Sequence, residues 1–214
     1  MTVQSVMTQN PITVTDTQSV RDAQEIMDRQ KIHRLPVVDG HKKLIGIVSR
    51  SDMLEAAPSD ASTLSVYEMN NLLAKLTVGK IMTREVLTVT PRTVVEDAAR
   101  LLVDKNIGGL PVLDGDTLVG IVTETDLFRL LIDLFGTRQK GVRATLRVPE
   151  RPGEVADMAK AITDAGGNII SLGSFPGNDI TNAVLIVKVD GLDESKLTSV
   201  LDPLVVEVMD IRET

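Results

Sequence analysis

The residues best suited to chemistry are three cationic side chains, Lys31, His33 and Arg34, which stand close together before Pro36. The planar guanidinium of Arg34 matches a pair of phosphate oxygens, and Lys31 offers a point charge. Pro36 fixes the backbone where a predicted helix gives way to a strand. These residues alone leave two interpretations open. One is a phosphate-binding corner, and the other is a solvated helix end whose cations complement the helix dipole.

The same stretch occurs a second time without its charges. Residues 3–52 and 78–126 align at an offset of 75 residues, which becomes 74 after the second copy's turn. The three cationic positions are Asn106, Gly108 and Gly109 in the second copy. A structural need for positive charge should have appeared in both copies. The asymmetry therefore favours ligand binding at the first.

A second motif, Gly-Ile-Val-(Ser/Thr)-x-(Ser/Thr)-Asp, stands at residues 46–52 and 120–126. Its glycine lets another group approach the strand. Its carboxylate lies at a strand-to-helix turn, where it could accept both hydroxyls of a ribose, and a helix N-terminus favours a nearby anion. N-capping by the hydroxyl and the carboxylate is the other interpretation. The two roles can coexist.

The elements that must position these motifs follow the same order in each copy. A short strand precedes an amphipathic helix, and two strands joined by an Asp-Gly turn lead into a further helix. Another helical stretch is predicted over residues 66–76, between the copies. After residue 136 the pattern changes to β-α-β-β-α-β, the ferredoxin-like arrangement.

Composition excludes several classes of protein. The net charge of −7 argues against nucleic-acid binding, and no run of some 18 apolar residues could span a membrane. The chain has no cysteine and only two histidines, so disulfides, thiolate chemistry and a zinc site are not expected. The first residues lack the pattern of a signal peptide. We therefore expect a cytoplasmic protein without a metal site.

Both copies resemble cystathionine-β-synthase (CBS) domains, and the pair resembles a Bateman module over residues 1 to about 135. The resemblance rests on motifs that recur in order. Leu-Pro-Val-(Val/Leu)-Asp and Gly-Ile-Val-(Ser/Thr)-x-x-Asp occur in both copies, and Val-x-x-Ile-Met-Thr is matched at residues 78–83 and approximated at residues 3–8, where Val6 replaces the isoleucine. Residues 31–37 also resemble the phosphate-binding stretch of the γ subunit of AMP-activated kinase. This resemblance implies adenine-nucleotide binding.

In such modules a cleft takes its first two strands from one repeat and its hydroxyl-Asp motif from the other. Carried over to this chain, the resemblance implies a cleft A that consists of Ile12, Thr13, Ile32, His33, Arg34, Pro36, Thr123, Thr125 and Asp126. It implies a cleft B that consists of Leu87, Thr88, Ile107, Gly108, Gly109, Pro111, Ser49, Ser51 and Asp52. Because cleft B lacks the cationic pair, we expect tighter nucleotide binding at cleft A.

Residues 142–211 resemble an ACT domain, a small-molecule-binding regulatory fold. The resemblance rests on Arg151-Pro152-Gly153, on Gly167-Asn168-Ile169 and on the order of the strands. It implies that Gly153 and Asn168 contact an amino-acid-like effector, although ordinary turn chemistry also accounts for both residues. The order CBS–CBS–ACT resembles the acetoin-utilisation protein B family.

The predicted fold class is α/β (α+β), with two pseudo-symmetric CBS repeats followed by a ferredoxin-like ACT domain. The predicted segments are repeat 1 at 1–60, a helical linker at 61–76, repeat 2 at 77–135, a linker at 136–141 and the ACT domain at 142–214. The apolar helix predicted over 127–135 and the open sheet edges of the ACT unit predict a homodimer at least.

The predicted function is that of a sensor without enzymatic activity, because no nucleophile–base arrangement is visible. AMP, ADP or ATP would be its regulatory ligand, with no obligatory cofactor, and it would act on an unidentified partner enzyme. The residues do not distinguish these nucleotides from S-adenosylmethionine. The alternative is a ligand-free interaction or oligomerisation protein that regulates a partner enzyme.

Overall fold

The structure, a computed structural model, describes residues 1–56 and 75–214. It divides into two compact units, Met1–Leu127 and Phe128–Thr214. The predicted linker at 61–76 falls outside the described residues except for its last two positions, Lys75 and Leu76.

The first unit contains both sequence copies. The elements of the first copy are β1 (Thr8–Gln9), β2 (Val14–Thr15), α1 (Val20–Gln30), β3 (Arg34–Val38), β4 (Leu44–Ser49) and α2 (Arg50–Ala56). Those that follow in the second copy are α3 (Val78–Ile81), α4 (Val95–Lys105), β5 (Gly109–Asp114), β6 (Thr117–Thr123) and α5 (Glu124–Leu134). A 3-10 helix precedes β1 at Val3–Ser5.

The two copies exchange their N-terminal segments. In the first copy β2 pairs in parallel with β3, and β3 pairs antiparallel with β4. However, β1 pairs antiparallel with β6 of the second copy. In the same way Thr83 of the second copy bridges Ile47 in β4 of the first, with hydrogen bonds of 2.9 Å in both directions. Each copy therefore completes the sheet of the other.

The hydrophobic cores follow this exchange. The core of the first copy surrounds Met27 and Leu35 and includes Val78 and Met82 from the second copy. The core of the second copy includes Val3 from the chain start. Burying a side chain of this size contributes about 1.5–3 kcal/mol. The exchanged segments thus help to hold the copies together.

Local sequence explains how the long helix of each copy ends. In α1 the N-cap Ser19 accepts a hydrogen bond from Asp22 N, and Lys31 closes the helix with a left-handed backbone at φ 54°. Asn106 closes α4 in the same way at φ 50°. These caps turn the chain into β3 and β5, so the positions of Arg34 and Gly109 begin equivalent strands.

The second unit contains the last residues of α5, from Phe128, and then four strands, two α-helices and a 3-10 helix at Asp202–Leu204. The strands and α-helices are β7 (Val142–Pro149), α6 (Glu154–Asp164), β8 (Asn168–Pro176), β9 (Asn182–Asp190), α7 (Glu194–Leu201) and β10 (Glu207–Glu213). The order in the antiparallel sheet is β10-β7-β9-β8, and its core lies between the sheet and the two helices. The predicted β-α-β-β-α-β order is observed. Among the described residues, no helix has both the length and the apolar character needed to cross a bilayer.

Candidate functional site

A cavity of about 530 Å³ in the first unit gathers residues from both copies. This volume lies in the range of small-molecule sites. Its lining residues are His33, Arg34, Ile47, Ser49, Arg50, Ser51, Asp52, Leu54, Thr83, Glu85, Val86, Leu87, Asn106, Ile107, Gly108 and Gly109. Most residues predicted for cleft B are among them, whereas Thr88 and Pro111 are not.

The hydroxyl-Asp motif forms one rim of the cavity, where β4 passes into α2. Asp52 Oδ2 accepts hydrogen bonds from Ser49 N at 2.6 Å and from Ser49 Oγ at 2.7 Å. Asp52 N donates to Ser49 Oγ at 3.3 Å, so the two residues form a reciprocal cap. The other carboxylate oxygen, Oδ1, accepts no hydrogen bond from a described residue. Capping therefore leaves one oxygen of Asp52 available to a ligand.

The opposite wall is apolar and belongs to the second copy. Leu87 is 42% exposed, and Ile107 is half-buried because it also packs on the core of its own copy. Ile107 follows the left-handed cap at Asn106, which turns the chain from α4 towards β5. This wall offers a surface on which a flat aromatic ring could pack.

The two basic positions predicted for cleft A also line this cavity. His33 is exposed, and Arg34 extends across Gly108 and Gly109. The resemblance assigned both residues to cleft A, and the structure places them beside residues assigned to cleft B. The glycines leave open the space that the Arg34 side chain occupies.

The electrostatics of Arg34 reflect its partly buried position. Burial lowers the pKa of Arg34 below its usual value, and the negative charges of Glu124 and Asp52 partly offset that shift. Within the described parts of the chain, the guanidinium forms no hydrogen bond or ion pair with another residue. A guanidinium stays protonated in proteins, so a cation without a bonded counterion lines the cavity.

Several residues that line the cavity were not predicted from the sequence. They are Ile47, Arg50, Leu54, Thr83, Glu85, Val86 and Asn106. Thr83 is the last residue of the Val-x-x-Ile-Met-Thr motif in the second copy. It pairs with Ile47 in β4 of the first copy, and this pairing brings Glu85 and Val86 to the cavity. Arg50 pairs with Asp28, with Nη2 2.6 Å from Oδ1. In the described ranges, no cluster of His, Asp or Glu side chains could hold a metal ion.

The other residues predicted for cleft A do not line this cavity. They are Ile12, Thr13, Ile32, Pro36, Thr123, Thr125 and Asp126. Asp126 repeats the geometry of Asp52: its Oδ2 accepts from Thr123 N at 2.9 Å and from Thr123 Oγ1 at 2.7 Å. Ile12 is 41% exposed, as its counterpart Leu87 is in the second copy, and Pro36 is buried. The two hydroxyl-Asp motifs thus share the two hydrogen bonds that cap Oδ2 of the carboxylate.

The second unit has a separate cavity of about 470 Å³ beside the start of α6. Gly153 lines it and serves as N-cap of α6 with φ 92°, a left-handed backbone that favours glycine. Glu154 also lines it and pairs with Arg151, with Oε2 2.9 Å from Nε. Asn168 begins β8 and is not among the lining residues.

Comparison with known proteins identifies the repeated part of the chain. The family model for the CBS domain matches residues 3–59 and again residues 78–133. The structure of CBSX2 from Arabidopsis thaliana in complex with AMP is 37% identical, with a TM-score of 0.52 over 61% of this chain and 96% of that one.

Two further solved structures are similar over slightly larger shares of the chain. A putative acetoin utilization protein from Vibrio cholerae is 32% identical, with a TM-score of 0.54 over 64% of this chain and 95% of that one. The CBS domain pair of protein MJ0100, in complex with 5′-methylthioadenosine and S-adenosyl-L-methionine, is 33% identical, with a TM-score of 0.52 over 65% of this chain and 98% of that one.

The curated relatives extend beyond the matched region. The match spans 60% of the chloroplastic CBSX2 of Arabidopsis thaliana, at 35% identity over 144 residues. It spans 23% of an L-aspartate semialdehyde sulfurtransferase from Methanocaldococcus jannaschii, at 33% identity over 129 residues. CBS pairs therefore occur in proteins of different overall length and function.

Proposed function

The chain belongs to the CBS-domain family, and on that premise we propose that it is a regulatory sensor that binds an adenine nucleotide between its two copies. The nucleotide would be AMP, ADP or ATP, acting as a regulatory ligand. The chain itself would catalyse no reaction and would instead regulate a partner enzyme. A ligand that contacts both copies can favour one packing arrangement of the copies over another. The difference between the ligand's affinities for the two arrangements limits the free energy of this shift.

The observation that carries this proposal is the composition of the 530 Å³ cavity. One wall is apolar at Leu87 and Ile107. The rim offers Asp52 Oδ1, and Arg34 adds a cation; among the described residues neither has a hydrogen-bond or ion-pair partner. An adenine ring, a ribose and a phosphate require these three kinds of surface. The adenine would pack on the apolar wall, and the ribose hydroxyls would donate to Asp52.

The ligands of similar proteins support the adenosine part of the proposal. CBSX2 was solved with AMP, and the CBS pair of MJ0100 with 5′-methylthioadenosine and S-adenosyl-L-methionine. These ligands share an adenosine group and differ in what the 5′ carbon carries. In this chain a phosphate would suit the cationic cavity better than the positively charged sulfonium of S-adenosylmethionine, because like charges repel.

Two further ligand sites belong to the proposal. Cleft A would bind a second adenine nucleotide through Ile12, Ile32 and Asp126, since Asp126 Oδ2 accepts the same two capping hydrogen bonds as Asp52 Oδ2. In the second unit, the 470 Å³ cavity at Gly153 would bind an amino-acid-like effector, as expected of an ACT domain. With these two sites, the protein would bind two nucleotides and one ligand of a different chemical class.

A second candidate function is a ligand-free interaction protein. The observation that favours it is the exposed apolar face of α5, where Phe128 is 64% exposed, Leu131 48% and Leu134 59%. Such a face is suited to protein contact. A homodimer through this face is compatible with either function.

Thermal denaturation in the presence of candidate ligands tests the proposed function. We expect AMP, ADP or ATP to raise the unfolding temperature, whereas GMP at the same concentration should not. A ligand at 100 times its Kd stabilises the folded state by about 2.7 kcal/mol. Asp52→Asn should reduce the nucleotide-dependent shift, while Glu55→Gln, on the exposed side of the same helix, should preserve it. The absence of a shift with any adenine nucleotide would contradict the proposal.

A further inference from the structure

The cavity of about 470 Å³ in the second unit combines apolar walls with charged side chains. Val148 and Leu185, each 1% exposed, belong to its apolar lining. Its charged lining residues are Glu150, Arg151 and Glu154. Apolar walls with a few polar groups are the usual composition of a small-molecule site. Such a cavity suits a ligand that has an aliphatic stem and a charged end.

Glu154 is the charged lining residue that the fold buries, with 5% exposure. Among the described residues, neither of its carboxylate oxygens accepts a hydrogen bond. The Arg151 guanidinium lies beside it, with Nε 2.9 Å from Oε2, but the two groups are not aligned for a hydrogen bond. A buried carboxylate is normally both paired and hydrogen-bonded, because its removal from water is costly. Glu154 therefore retains an unused capacity to accept hydrogen bonds.

Arg151 can leave Glu154 and still keep a counterion. Its side chain is 50% exposed, and its Nη2 donates to Asp157 Oδ2 at 2.9 Å. Asp157 does not line the cavity. A cationic ligand could therefore take the place of Arg151 at Glu154, while Arg151 keeps its ion pair with Asp157. This exchange would replace an ion pair that lacks a hydrogen bond by one that contains hydrogen bonds, which is the stronger kind.

The charges at the start of α6 determine the sign of that ligand. The first turn of α6 contains the carboxylates of Glu154 and Asp157, and its N-cap Gly153 supplies no side-chain hydrogen bond. The positive end of the helix dipole thus already has two anions beside it. Because Glu150 also lines the cavity, a ligand carboxylate would meet more negative than positive charge. The same arrangement attracts a cation.

From these observations we propose that Glu154 binds a primary alkylammonium group, whose aliphatic stem packs against the apolar walls of the cavity. An ammonium group has three donors, which are enough for both oxygens of Glu154. The side chain of a basic amino acid and a simple alkylamine present this same chemistry. The inference rests on the effector site in the proposed function and deepens it, because it names a cation with an apolar stem as the group that the site recognises.

Titration calorimetry on the full chain at neutral pH tests the inference with two probes of opposite charge. Pentylamine and hexanoate share the same aliphatic stem and differ in the sign of the charged end. We expect pentylamine to bind at least about 10-fold more tightly than hexanoate. Glu154→Gln keeps the shape of the side chain, removes its charge and should weaken pentylamine binding about 10- to 100-fold. Arg151→Gln removes the competing cation and should instead strengthen it, an effect that a purely structural role of Glu154 would not produce.

A second pair of probes distinguishes the source of the ammonium group. L-lysine has a terminal ammonium on its side chain, and L-norleucine has a similar stem without it. Binding of both L-lysine and pentylamine, with L-norleucine weaker, would assign the site to basic amino acids as well as amines. Binding of pentylamine alone would assign it to amines without an α-carboxylate. Either result supports recognition of the ammonium group by Glu154 if Glu154→Gln weakens the binding.

Glu96→Gln is the matched control, since Glu96 is an exposed glutamate in the first turn of another helix, α4, and should leave the binding of every probe unchanged. Equal binding of pentylamine and hexanoate, or unchanged pentylamine binding in both Glu154→Gln and Arg151→Gln, would overturn the inference. If L-norleucine then still binds, and Ala156→Leu abolishes that binding by filling part of the cavity, the proposed effector site stands without the inference. If none of the four probes binds, the proposed effector site fails, and the inference fails with it.

Discussion

Met82 of the second copy lies directly against Gly46 of the first. A Cβ at Gly46 would stand 2.5 Å from Met82 Sδ and 3.1 Å from the carbonyl oxygen of Thr83. The second copy repeats the arrangement, because a Cβ at Gly120 would collide with Met7 Sδ. The glycine of each Gly-Ile-Val motif is therefore the place where the other copy's N-terminal segment approaches the sheet.

This contact predicts that Gly46→Ala destabilises the first unit. The added methyl group must displace Met82 or the backbone at Thr83, and overpacking of this kind costs about 1–3 kcal/mol. Chemical denaturation measures the loss. Gly40→Ala is the control, because apart from its chain neighbours no described residue has an atom within 4 Å of the Cβ position at Gly40. Equal stability of the two variants would show that the contact at Gly46 is unimportant.

The hydroxyl-Asp turn could be predicted from sequence because it is local. Ser49 and Asp52 are three residues apart at a helix start, and this spacing is enough for the reciprocal cap. The same local spacing does not always produce a cap. Thr93 and Glu96 have the spacing of a capping box, but Val94 holds the N-cap position and Thr93 Oγ1 accepts from Thr90 N at 3.1 Å.

The position of Arg34 could not be predicted in this way. Sequence comparison showed that the cationic residues are missing at Gly108 and Gly109, and this suggested a weaker second cleft. Where a long side chain lies depends on the packing of one copy against the other, and spacing within a copy does not determine it. The glycines were visible in the sequence, but their role as space for Arg34 required the structure.

The turn between β3 and β4 predicts a pH-dependent contribution to stability. The backbone amides of Lys43 and His41 donate to Asp39 Oδ1 at 2.9 and 2.8 Å, and these bonds lower the pKa of the Asp39 carboxyl. Because the folded pKa lies below the unfolded value of about 4, the contribution is present above pH 4 and is lost as the pH falls through the folded pKa. NMR titration of the Asp39 carboxyl should give a pKa below that of aspartate in an unstructured peptide under the same conditions. A pKa equal to or above that of the peptide would refute this account of the turn.

The buried position of Lys188 in the second unit predicts that two substitutions there lower stability by different amounts. It is buried, with 2% exposure, and its Nζ donates to the carbonyl oxygen of Gly136 at 3.2 Å. Lys188→Ala removes both the packed stem and the hydrogen bond and should cost about 2–4 kcal/mol. Lys188→Met keeps most of the stem and should cost less.

Urea denaturation of the two Lys188 variants provides the comparison. The exposed Lys160→Ala, which loses only a surface ion pair with Asp164, should change stability by less than about 1 kcal/mol. If Lys188→Met proves as destabilising as Lys188→Ala, the stem contributes little and the hydrogen bond to Gly136 accounts for the effect.

The apolar face of α5 predicts self-association. Multi-angle light scattering at micromolar concentration should give about twice the chain mass of 23.2 kDa. Leu131→Glu places a charge in this face and should shift the protein towards the monomer. Ile180→Glu, at a position that is 93% exposed in the β8–β9 turn, should leave the mass unchanged. A wild-type monomer would argue against the dimer.

The central claim is that an adenine nucleotide binds in the cavity between the two copies, and the crystal structure of the chain with saturating AMP tests it most directly. The account predicts the adenine against Leu87 and Ile107, the ribose hydroxyls on Asp52 Oδ1 and the phosphate on the guanidinium of Arg34. If the cavity at Asp52 contains no AMP at concentrations far above the Kd measured in solution, whether or not AMP occupies cleft A, the claim is contradicted.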